Sequence, residues 1–281
     1  MKFIKDTSRG HEFEPAYEVE KTQIDRAFEA FINGGASTFQ LHSDDAVEQR
    51  IHAWDDYIRI DVGRYIGDIE LMRGLKRQSV GALVDAFDNW RQSTNSFEEQ
   101  IAIEMRDTAK GYIDAYTEFI GRIANGDHDA VWNAPLISRI VESLIRNLPP
   151  EDANGLRKIG QFFASEYFKQ VPHLWLTARI YATLKDMVMH GAYRDSDDAK
   201  TRLSGFFQDI QHVATYAPYC DAFVMDKAMA SLVADPRINL EGRYSVKVFT
   251  LHNWDQFLGW LNEIEAGMAQ EHRAALSAIY A

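Results

Sequence analysis

Between Phe206 and Thr250 a helical pattern alternates with short apolar runs, and that order restricts the fold. Phe206 to Ala217 has the spacing of a helix, Ala222 to Met225 that of a strand. Lys227 to Val233 is again helical, and Val246 to Thr250 forms a second strand. Strands separated by a helix pair in parallel, with helices packed on the sheet. Upstream, from about Ala16 to His190, successive helices are expected. The chain therefore reads as α-rich α/β. Residues 1–194 are mainly helical, and residues 195–281 hold a small parallel sheet flanked by helices, either as a second region or as part of one integrated domain.

Local signals place the helices. Glu18 to Ile32 ends at Asn33-Gly34-Gly35. Asp61 to Trp90 carries a broken apolar stripe that predicts two helices meeting near Gly74 or Gly81. Ser96 with Glu99 three residues on is a capping box for a helix running to Ile123, which Asn125-Gly126 stops. Leu136 to Leu148 ends at Pro149-Pro150. Pro172 suits a first helical position and Gly191 a stop. Between them Leu174, Ala178, Tyr181, Leu184 and Val188 recur at spacings of three and four. Asp195-Ser196-Asp197-Asp198 is a polar connection, and Asp44-Asp45, Asp55-Asp56 and Asp197-Asp198 are expected in solvated caps or loops. Trp254, Phe257, Leu258, Leu261 and Ile264 mark a late amphipathic helix.

The chain has 281 residues and 30 basic against 42 acidic side chains, a formal charge of −12. That balance argues against binding nucleic acid by bulk electrostatics. It does not exclude a nuclease, because bound metal cancels carboxylate charge locally. One cysteine, Cys220, excludes an intrachain disulfide and a Cys-rich zinc site; a buried thiol is expected there. No apolar run suits a signal peptide or a membrane span, so a cytoplasmic protein is expected. The nine histidines include no helical His-x-x-x-His pair and no HExxH. His128-Asp129 is expected at a turn or helix start.

The candidate chemistry lies at one edge of the small sheet. A helix descends about 12 Å from Asp209 to Ala217 at roughly 1.5 Å per residue. A strand climbs about 13 Å from Asp221 to Met225 at roughly 3.3 Å per residue. Asp209 and Asp226 should return to one level, at the carboxyl edge where open α/β sheets bind ligands. Phe206, Ile210, Val213 and Ala217 define the buried stripe of the first helix. At about 100° per residue Asp209 lies roughly 80° from its centre, at the boundary of the core. Thr250, His252, Asn253 and Asp255 belong to the same edge. A structural alternative stands beside this reading: Asp209 favours the positive end of its helix, and Asp226 occupies an N-cap position.

The run D-x-x-H-x-x-x-x-x-P-Y-C-D-A-F-V-M-D-K, from Asp209 to Lys227, resembles the C-terminal part of PIN-like domains of an uncharacterised bacterial subgroup. The resemblance covers Leu203 to Glu265. It implies that Asp209 and Asp226 are the two late acids that hold magnesium or manganese for RNA hydrolysis, with His212 or Lys227 on the phosphate. It also implies an early strand ending in an acid, for which Phe3 to Asp6 is the candidate, and a middle acid, for which Glu98, Glu99 and Glu104 are candidates. In such a site the ions polarise a phosphodiester oxygen and acidify a water, and hard oxygen ligands favour Mg or Mn over Zn. RNA is then the expected partner. The competing expectation is a catalytically inactive interaction or regulatory protein that keeps the sheet and works through a homo-oligomer or a protein partner.

Overall fold

The computed structural model describes residues 13–47, 69–131, 136–149 and 154–280. Within them the chain is mostly helical, with one two-stranded parallel sheet. The expected strand at Phe3–Asp6 and the pair Asp55-Asp56 lie outside the described residues.

The helices follow their stop and start signals. Helix α1 spans Ala16–Ile32, α2 Ile69–Asp85, α3 Phe87–Arg91 and α4 Phe97–Ala124. Ser96 and Glu99 form the expected reciprocal capping box at the start of α4. Helices α5 (Ser138–Arg146), α6 (Gly155–Phe163) and α7 (Glu166–Lys169) are short. Helix α8 runs from Pro172 to Met189, with proline in its first turn. Gly34, Gly126 and Gly191 follow α1, α4 and α8 with φ of 68°, 84° and 94°, the left-handed stop that glycine adopts without a steric penalty.

Two local expectations need correction. The break in the 61–90 stretch falls at Ala86, not at a glycine. Gly74 and Gly81 both face open space inside a continuous α2, where a glycine costs only about 1 kcal/mol and does not end a helix by itself. The acidic run after Tyr193 is not merely a connection. Asp195 accepts from the backbone N–H groups of Asp197 and Asp198 and so caps a further helix, α9 (Ser196–Arg202).

The C-terminal part contains α10 (Phe206–Tyr216), β1 (Ala222–Val224), α11 (Lys227–Val233), α12 (Leu240–Tyr244) and β2 (Lys247–Phe249). Helices α13 (Trp254–Gly267) and α14 (Gln270–Tyr280) follow. Strands β1 and β2 pair in parallel, Ala222 with Lys247, Phe223 with Val248 and Val224 with Phe249. The ladder extends one step further, where the Met225 N–H donates to the Phe249 carbonyl at 2.9 Å.

Two apolar clusters share α8. One joins Trp175, Leu176, Ile180, Leu184 and Val188 of α8 to α2, α3, α10 and α11. The other joins Leu174, Ala178 and Ala182 to α1, α4, α5 and α6. The first cluster crosses the 194/195 boundary, since Val80, Leu83, Val84 and Phe87 pack in one core with Phe206, Ile210 and Met229.

A buried polar chain closes the start of α8. Gln23, fully buried, accepts from the His173 backbone N–H at 2.9 Å and donates to the Tyr219 hydroxyl at 2.8 Å. The His173 ring meets Thr215 Oγ1 at 3.2 Å. Asp45 belongs to the same chain, pairing with Arg26 and lying 3.3 Å from the Tyr219 hydroxyl. Expected as a solvated cap, Asp45 is 5 % exposed, because those two partners carry its charge into the fold. Replacing Gln23 with Leu leaves a first-turn N–H of α8 without its acceptor, at a cost of about 1–3 kcal/mol. We expect Gln23→Leu to lower Tm by roughly 3–10 °C in a thermal melt followed by circular dichroism.

Candidate functional site

Asp209 sits in the first turn of α10 and is half-buried. Its neighbours Phe206, Ile210 and Val213 point into the core, which leaves Asp209 at the core boundary as its angular position requires. Gly205, just before the helix, makes this placement feasible. A Cβ at Gly205 would fall 2.5 Å from Asp209 Oδ2, so a side chain there would make the carboxylate turn away.

Asp226 follows β1 and caps α11, its Oδ1 accepting from the Met229 N–H at 2.7 Å. The cap reading is therefore correct for one oxygen. The other makes no hydrogen bond within the described residues. Asp209 differs: among the described residues neither of its oxygens accepts a hydrogen bond and it has no ion pair within 4 Å.

Asp226 acts on Asp209. Burial pushes the Asp209 carboxyl above the usual aspartate range, and the Asp226 charge pushes it further, while Lys76 and then His212 pull it back. Asp226 and His212 are thus among the groups that bear on Asp209. The lysine that bears on Asp209 is Lys76 of α2, which sequence reasoning did not single out. Lys227 lies exposed in the first turn of α11. Tyr193 is a further member: burial raises its phenol, Arg202 opposes this, and Asp226 and Asp198 add to it. Its backbone is left-handed at φ 54°, held by Arg91 Nη2, which donates to its carbonyl at 2.7 Å.

The remaining candidates have other work. Glu99 completes the capping box of α4, Glu104 pairs with Lys185, and Glu98 lies 3.8 Å from Arg179. None of the three acts on Asp209. Thr250 and Asn253 cap the turn Leu251–Asn253 reciprocally. Cys220 is half-buried, its thiol pushed up by burial and then by Asp221. His128 and Asp129 start a single helical turn. Asp6 lies outside the described residues. Among the described residues no three His, Cys, Asp or Glu side chains converge as a metal-holding group, and no helix is long and apolar enough to cross a membrane.

The chain matches no family model, no curated protein and no solved structure.

The raised pKa of Asp209 has a definite stability consequence. A carboxyl raised in the folded state favours folding while protonated, and that contribution is lost as pH rises through the raised folded value. Asp209→Asn removes the charge while keeping the shape. We expect the variant to melt higher than wild type at pH 7, by on the order of 1–2 °C once solvent screening of this half-exposed group is discounted. The difference shrinks as pH falls and vanishes below the ordinary aspartate value of 3.8. Melting curves of both proteins across pH 3.5–7.5 check the sign.

Proposed function

We propose that Asp209 and Asp226 hold a divalent cation, magnesium or manganese, for the hydrolysis of RNA phosphodiesters, in an arrangement of PIN-like type. The carrying observation is Asp209 itself. It is a half-buried carboxylate with no hydrogen bond or ion pair among the described residues, and a second carboxylate opposes its ionisation. A divalent cation relieves both burdens at once. The donor set fits: hard carboxylate oxygens suit Mg²⁺ and Mn²⁺, and Mg²⁺ commonly takes one or two carboxylates and completes its shell with water and substrate phosphate. Asp6 is the further acid that the resemblance supplies.

In this reading Asp209 and the free oxygen of Asp226 are the ligands. When bound, the cation supplies Lewis acidity toward the phosphodiester and toward water. The chain supplies the rest. Burial fixes α10 and hence Asp209, and the cap bond to Met229 fixes the Asp226 rotamer. Lys76 brings positive charge to bear on Asp209, with His212 and Lys227 as the further phosphate contacts.

Asn caps a helix about as well as Asp, so Asp226→Asn separates charge from cap. We expect wild type to cleave a labelled single-stranded RNA with manganese. Asp226→Asn should lose on the order of 100-fold in rate, about 2.7 kcal/mol of transition-state stabilisation. Millimolar manganese should also raise Tm of wild type but not of Asp209→Asn. Equal cleavage by both proteins, or a manganese shift that Asp209→Asn retains, overturns the reading.

A second reading is favoured by α13. None of its residues is buried. Phe257 and Trp260 pack on Phe249 of β2, with ring centroids at 5.2 and 5.7 Å. Trp254, Leu258, Leu261 and Ile264 line the adjoining arc of the helix and are 39–44 % exposed. A contiguous apolar face of this kind marks interaction surfaces, and it suits an inactive regulatory protein that self-associates or binds a protein partner. We expect Leu258→Lys with Leu261→Lys to lower the mass measured by size-exclusion chromatography with light scattering if the face joins copies of this chain. An unchanged monomer mass in wild type and variant removes self-association.

A further inference from the structure

Helix α2 carries Arg73, Lys76, Arg77 and Val80 at positions i, i+3, i+4 and i+7, which is one face of a helix. Across from it stand Lys200 of α9 and Ser204, just after that helix. Together they line a cleft of about 420 Å³, within the ~300–1,000 Å³ usual for ligand sites. Val80 is 4 % exposed and forms the apolar floor. The basic side chains stand around it, so their aliphatic stems line apolar walls beneath a charged rim.

The charges of this rim are largely uncommitted. Arg73 pairs with Glu70 at 2.6 Å. Lys76, Arg77 and Lys200 have no carboxylate within 4 Å among the described residues. On its own helix Asp197 stands three residues before Lys200 without an ion pair to it within 4 Å, and Asp198 is taken up by Arg202 at 2.9 Å. Four cations around one cleft stand out in a chain of charge −12. The cleft is tied to Asp209 by Lys76, which lines it and bears on that carboxyl, and by Ser204, which adjoins the Gly205 beside the Asp209 carboxylate.

We propose that the α2–α9 cleft binds the phosphodiester backbone of a single strand, with the rim cations on phosphates and one base against the Val80 floor, and delivers the strand to Asp209 and Asp226. This assignment rests on the nuclease reading for its direction of delivery, but the binding itself does not need catalysis. Single-strand sites combine a basic track with sequence-tolerant base contacts. Confinement between two helices selects one strand over a duplex. The acidic remainder of the surface keeps binding local, in contrast to the bulk electrostatics that the net charge argues against.

The test separates binding from cleavage. Binding of a fluorescein-labelled 12-nucleotide oligouridylate is followed by anisotropy in EDTA at 50–300 mM salt. The proteins are wild type, a cleft variant (Lys76→Glu, Arg77→Glu, Lys200→Glu) and a control of equal charge change on exposed sites elsewhere (Arg106→Glu, Lys110→Glu, Lys169→Glu). We expect the cleft variant to bind at least about tenfold more weakly than the control. Its salt slope should fall by about 2, from three contacts at ~0.7 each. All replaced side chains are solvent-exposed or pair only with near neighbours in sequence, and circular dichroism confirms the fold. A matching oligodeoxyuridylate bound equally well supports readout of phosphate; binding of neither strand by wild type overturns the proposal. Equal weakening by cleft and control variants also overturns it, even if Asp226→Asn abolishes cleavage and so upholds the nuclease. Cleft-specific binding with no cleavage by wild type upholds the cleft and removes the nuclease.

Discussion

Helix α8 is the constraint on which the rest depends. Eleven of its eighteen residues are buried, and they point to two sides: Leu176, Ile180, Leu184 and Val188 into one cluster, Leu174, Ala178 and Ala182 into the other. A helix buried on opposite faces leaves its first-turn N–H groups no access to water, and each unmet donor is expensive. Proline in that turn removes one donor and Gln23 of α1 meets the next. The apolar packing and the buried amide are therefore one device. Sealing α8 requires α1 in place, and placing α1 brings Asp45, Arg26 and Tyr219 with it.

From α8 the geometry passes outward to the acid pair. Phe206 of α10 packs edge-on against Tyr181 of α8 at 5.6 Å between ring centroids, which sets the rotation of α10. With Phe206, Ile210 and Val213 inward, Asp209 falls at the core boundary. Burial then raises the cost of its charge, and Asp226, two residues beyond β1, raises it again. Gly205 leaves room for the carboxylate as it stands. A carboxylate held so, with no donor meeting it among the described residues, opposes folding more than it favours it. Such costs concentrate where a ligand relieves them.

Much of this was legible in the chain because it is local. Pro172 and Gly191 bracket α8, Ser96 and Glu99 start α4, and the 3.6-residue period of Phe206 to Ala217 fixes which side of α10 is buried. Helix and strand rise alone point to Asp226 on the same side as Asp209, and Asp226 is among the charges that bear on Asp209. What was not legible is tertiary. Nothing near Lys76 in sequence says that α2 passes beside Asp209. Gly205 matters only because of a carboxylate one turn later. Asp45 looks solvated until Tyr219, 174 residues away, reaches it. Gly74 and Gly81 misled for the opposite reason, since a weak local penalty yields to the packing of Val80, Leu83 and Val84.

The acid pair and the basic cleft also constrain one another. Two carboxylates at one edge repel a phosphodiester as strongly as they attract a cation, so an acidic edge alone is a poor place for a polyanion. A rim of Lys76, Arg77, Arg73 and Lys200 sets positive charge against that repulsion without altering the charge of the whole chain. Lys76 belongs to both features, lining the cleft and pulling down the Asp209 carboxyl. On the proposed function, a divalent cation on the acid pair would lower the repulsion that the cleft must overcome, and a phosphate on Lys76 would withdraw part of the charge that steadies Asp209. On the proposed function, cation and strand are therefore linked ligands: metal tightens the strand, and by thermodynamic reciprocity the strand tightens the metal to the same degree. A cleft that merely decorated the surface would show no such linkage.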